Sequence, residues 1–208
     1  MAQSEDAVAP FFRIWIAPRD TIRQIVDTDP RRSVLALAAL SGALSGLEGS
    51  WLSAMSGPHT MSALWPFLVA VKVVLYAIWG IVGLYLAGWI ITAACRLFGG
   101  VAAVVQTRAA IAWSSIPGIA ATGLGVIAIL AGIVTPHTLA PGKFSFPPGL
   151  AILSGALGLW GLVVELKCLG EVNRFSAWRA LLAQLFVGLV LGVIVGLALV
   201  YQHFHRGF

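Results

Sequence analysis

Charge is what this chain has least of. Of 208 residues only 13 are Lys or Arg and 8 are Asp or Glu, while 59% are hydrophobic. So few polar side chains cannot cover a soluble globule of this length, and an integral membrane protein is expected. Cysteine is nearly missing too. Cys95 and Cys168 show neither zinc nor redox spacing, which excludes a disulfide framework and leaves two reduced structural thiols. The start lacks basic residues: Met1 to Asp6 carries Glu5 and Asp6, with no short apolar core and cleavage site after it. No cleaved signal peptide is expected, and the first span should serve as its own insertion signal. HExxH, P-loop, GxSxG and paired-carboxylate motifs are all missing, so the expectation is a non-enzymatic protein without a cofactor. Gly123, Gly125 and Ala128 fit a loosened dinucleotide fingerprint, but they lie inside an apolar run with no strand before it, so the match is accidental.

What is present is a series of apolar runs. The longest, Leu64 to Phe98, has Lys72 as its only charge before Arg96. As a helix it would measure roughly 50 Å against a hydrocarbon core of about 30 Å, so it must tilt or run past one face. The expected fold is all-α and polytopic, with five transmembrane helices over 33–54, 64–98, 108–134, 149–169 and 177–201. Before them, residues 1–32 form a cytoplasmic segment with a short amphipathic interfacial helix; residues 33–208 form the membrane domain with a short outer tail. In the first segment, Pro18 suits the start of that helix, Ile22, Ile25 and Val26 share a face, and Asp29-Pro30 ends it. A packing strut and a partner-docking arm both fit this helix.

The basic residues flank the spans and do not cluster, which excludes a nucleic-acid surface and gives orientation. Arg13, Arg19, Arg23, Arg31, Arg32, Arg96, Arg108, Lys167, Arg174 and Arg179, ten of the 13, fall on one side. Only Lys143 and Arg206 fall on the other. The N-terminus is therefore expected in the cytoplasm and the C-terminus outside, in a bacterial inner membrane. Trp51 and Trp65 then mark the outer boundary, with Trp113 and Trp178 at the inner one.

Within the spans, Glu48 and Lys72 fall at matching depth on consecutive antiparallel helices. An ionisable group in hydrocarbon needs a partner or water, so they form either a register-fixing ion pair or a polar cavity for a proton, cation or small solute. Glu165 is expected to pair with Arg108 or Arg179 near the inner face. Pro117 should kink the third span and free the carbonyl of Trp113, with Ser114 or Ser115 compensating. Gly42 and Gly46 in span one, and Gly188, Gly192 and Gly196 in span five, have the spacing of close helix contacts, within one chain or between chains. His59, His137, His203 and His205 all fall on the outer side but lie over three segments without acidic neighbours, so no metal site is expected.

Two stretches together point to a family: Ala17-Pro18-Arg19-Asp20-Thr21-Ile22-Arg23-Gln24-Ile25 through Pro30, and Leu166-Lys167-Cys168-Leu169-Gly170-Glu171 through Ser176-Ala177-Trp178-Arg179-Ala180. With five spans, the chain resembles the Yip family of Ypt/Rab-interacting membrane proteins, in its bacterial branch, over most of its length. The resemblance implies a helical membrane protein working by association with itself or with other membrane proteins in the lipid bilayer. The Asp-Leu-Tyr-Gly-Pro type motif of eukaryotic members is missing, so GTPase binding is not implied. The leading expectation is an interaction or membrane-organising component; the alternative is a small transporter, channel or lipid-handling protein using Glu48 and Lys72.

Overall fold

The computed structural model describes residues 10–56, 64–136, 144–145 and 147–206. The chain is helical from residue 10 to 16 (α1). Then follow α2 (Pro18–Thr28), α3 (Val34–Ser56), α4 (Trp65–Leu97), α5 (Val104–Ser114), α6 (Ile116–Leu130), α7 (Pro148–Val172) and α8 (Ala177–Arg206). Between α6 and α7 two-residue strands pair antiparallel, Thr135 opposite Ser145 and Pro136 opposite Phe144. Five stretches are long and apolar enough to cross a membrane: α3, α4, α5 with α6, α7 and α8.

Helices α3 and α4 make the closest antiparallel pair. Gly42 of α3 and Gly80 of α4 are what let them meet, since a Cβ on Gly42 would strike the Tyr76 carbonyl and one on Gly80 the Ala38 carbonyl. Without lipid exclusion to drive association, such backbone proximity supplies the van der Waals contact that holds membrane helices together. At the end of this pair the rings of Trp51 and Trp65 meet edge to face with centroids 4.7 Å apart. Helix α4 has 33 residues and outruns α3. Its last part packs on α5 and on α8, where Ala94 and Cys95 meet Ala183. Gly99, at φ 85°, then stops it, and the Gly100 N–H donates to the Cys95 carbonyl at 2.8 Å.

The third span begins at Val104, four residues before the expected 108, and ends at Leu130. Its start is fixed by the Gln106 side chain, which accepts the Ala103 N–H at 2.9 Å. It is also two helices, broken at Ser115. There the Ser114 hydroxyl donates to the Ile111 carbonyl (3.0 Å) and that of Ser115 to the Ala112 carbonyl (2.7 Å). The serines thus serve Ile111 and Ala112, not Trp113, whose carbonyl takes the Ser115 N–H. Buried Pro117 follows at the start of α6, where a missing N–H costs nothing.

The main core lies at one end of the bundle, under the N-terminal helices. Ile14 and Ile22 are fully buried with Trp113, Val164, Cys168 and Leu169. The Trp113 ring packs on Phe11 at 4.8 Å, and its Nε1–H donates to the Arg32 carbonyl at 3.2 Å. Helix α2 is therefore a strut. Its apolar face, Ile22 and Ile25, is taken up by α5 and α7. A smaller cluster of Ala128, Ile129 and Val134 with Trp51 and Leu150 closes the other end.

Candidate functional site

Glu48 and Lys72 do not meet. Among the described residues the one salt bridge joins Arg23 to Glu171. The reason lies in helix geometry. Gly46 faces α4, with its Cα side against Tyr76 and the Lys72 carbonyl, and Glu48 is two residues on, about 200° around the helix. The Glu48 side chain therefore points to α6 and α7, while Lys72 is exposed on the outer side of α4. The carboxylate reaches into a cavity of about 220 Å³ lined by Thr122 and Gly125 of α6 and by Leu150 and Ser154 of α7. Gly125 makes the room: a Cβ there would lie 2.7 Å from Glu48 Oε1. This pocket has one carboxylate and two hydroxyl-bearing neighbours, with no cation.

Glu165 also has a different partner from the one expected. Its Oε1 accepts from Gln184 Nε2 of α8 at 2.7 Å. Arg179 is exposed, and Arg108 turns toward α4, where its guanidinium carbon lies 4.0 Å above the centre of the Tyr85 ring. Gly88 gives the Arg108 methylenes their seat, since a Cβ there would collide with Arg108 Cγ. No sequence pattern announces this arrangement, because Arg108 and Tyr85 are on different helices and only the packing angle brings them together.

Among the described residues nothing packs on Gly188, Gly192 and Gly196: a Cβ at each would meet nothing within 4 Å. Residues 188 to 202 are exposed without exception. Among the described residues no three His, Cys, Asp or Glu gather as metal ligands, and both cysteines are free and buried. His59, His137 and Lys143 lie outside the described residues; His203 and His205 are on the last turns of α8.

The two stretches that resemble a known family are brought face to face. Glu171 Oε1 accepts from Arg23 Nε at 2.8 Å and from Nη2 at 2.5 Å, and the Cys168 thiol donates to the Pro18 carbonyl at 3.7 Å. The hydrogen bond and the charge of Glu171 raise the Arg23 pKa above its ordinary value, so the pair stays ionised on the arginine side. Beside them Asn173, 1% exposed, donates to the Leu169 carbonyl at 3.0 Å and accepts the Ala102 N–H at 3.4 Å. One corner thus ties α2, the α4–α5 turn and the end of α7. The individual residues were visible in sequence, but their meeting was not: 148 positions separate Arg23 from Glu171.

The fold and this corner define a multi-pass helical membrane protein with a short N-terminal strut. The chain belongs to the Yip1 family: the Yip1 domain profile matches residues 12–200, from α1 almost to the end of α8. Compared with curated proteins and with solved structures, it has no significant match.

Proposed function

We propose that the protein is a non-enzymatic interaction or membrane-organising component of a bacterial inner membrane, with its N-terminus in the cytoplasm. The orientation rests on the ten basic residues that flank the N-terminal side of the spans. The interaction reading rests on one observation: the outer half of α8 carries Gly188, Gly192 and Gly196 as an open ridge, where a Cβ on each would meet nothing within 4 Å among the described residues. Small residues at this spacing let a second helix approach closely, and the partner is a second copy or another membrane protein. Cysteine placed at Gly192 should cross-link to one discrete partner in native membranes, and Gly188→Leu in the same chain should abolish the adduct. Cross-linking no stronger than at Leu182, an exposed residue near the start of α8, would remove the reading.

The cavity at Glu48 favours a second reading, a small-solute or proton pathway. A carboxylate inside a span faces two hydroxyl-bearing side chains there, and ionisable groups at such depth are functional by default. Lys72 has no part in it. Loss of function in Glu48→Gln with normal amounts of folded protein would put this reading first.

A further inference from the structure

At the N-terminal side of the bundle, α3, α4 and α5 enclose a cavity of about 270 Å³ that neither reading uses. Its polar lining residues are Arg31, Arg108 and Tyr85; the apolar ones are Pro30, Val34, Leu35 and Val105. Among the described residues no acidic one lines it. Arg108 is held in place by the Gly88 seat and the Tyr85 ring, with its Nε buried against Gly88. We infer that this cavity binds the phosphate group of an anionic membrane lipid, held between Arg108 and Arg31.

The chemistry that fits is an oxyanion. A guanidinium offers several N–H groups in a fixed plane that matches phosphate oxygens, and two arginines line the cavity with no carboxylate among its described lining residues. Inorganic phosphate shares that chemistry, but the location favours a lipid. Arg108 is the fifth residue of α5, roughly 6 Å inside the start of the third span, and Arg31 stands just before α3. That is headgroup level. Leu35, half-exposed beside the cavity, continues it onto the lipid-facing surface where acyl chains lie. Basic pockets between membrane helices at this level are recognised headgroup sites.

The test is native mass spectrometry of the full-length protein in detergent, with phosphatidylglycerol, phosphatidylcholine or inorganic phosphate added at equal concentration. Phosphatidylglycerol should be retained in preference to phosphatidylcholine. Arg108→Gln and Arg31→Gln should each lower that retention about tenfold, as expected for one lost charge-assisted hydrogen bond. Arg179→Gln, which removes an exposed charge outside the cavity, should leave it unchanged. Equal retention of the two lipids, or wild-type retention in Arg31→Gln, would overturn the proposal. So would inorganic phosphate that binds without lipid and displaces phosphatidylglycerol, because the source would then be soluble. Should Arg108→Gln fail to fold, Arg31→Gln still decides, since Arg31 is exposed and its hydrogen bonds are made by its backbone, the N–H donating to Asp29 and the carbonyl accepting from the Val34 N–H.

Discussion

Two glycine ridges with the same spacing have opposite fates in this molecule. Gly42 and Gly46 are pressed against the backbone and the Tyr76 side chain of α4, so closely that no side chain fits at Gly42. Gly188, Gly192 and Gly196 stand on an open helix. The motif states only that a helix can be approached closely. Whether the approach happens inside the chain depends on the neighbour: α3 has α4 running back beside it, with Gly80 as the matching gap. Helix α8 meets α4 and α7 through residues of its first half such as Ala180 and Ala183.

Filling the glycines tests that difference. Gly42→Leu should destabilise the protein most, by about 3 kcal/mol, because the obstructing atom is a backbone carbonyl that cannot rotate away. The check is the melting temperature of purified protein in detergent; an unchanged value would mean that α3 and α4 are not locked together. Gly88→Ala should cost less, about 1 kcal/mol, since the Arg108 side chain can lift and alanine favours the helix. Retention of phosphatidylglycerol should fall with it, as the guanidinium leaves the Tyr85 ring. Gly192→Leu should change the stability of the isolated chain by less than about 0.5 kcal/mol, because open surface surrounds it. A large loss there would show that α8 packs against its own chain after all.

The helical membrane class was legible in the sequence because lipid leaves a polypeptide few options. With no water to satisfy backbone polar groups, five long apolar runs must become five helical spans, and their number and order follow from hydropathy alone. Hydropathy also indicated the long overhang of α4. The partners of the ionisable residues were less legible. Depth along a span can be counted from sequence, and Glu48 and Lys72 were matched by depth; direction around the helix is the other coordinate. Once Gly46 is known to face α4, Glu48 is turned away from it.

The sequence by itself determined the apolar helices, the amphipathic N-terminal helix and the break in the third span, because each depends on local periodicity, on proline, or on the cost of exposing backbone to lipid. The tertiary structure alone decided which faces meet. It set Arg23 on Glu171, Gln184 on Glu165 and Arg108 on Tyr85, and it left one glycine ridge packed and the other bare. Such pairings depend on how helices rotate and cross. In lipid that is settled by close packing summed over whole helix faces, a quantity that no single motif carries.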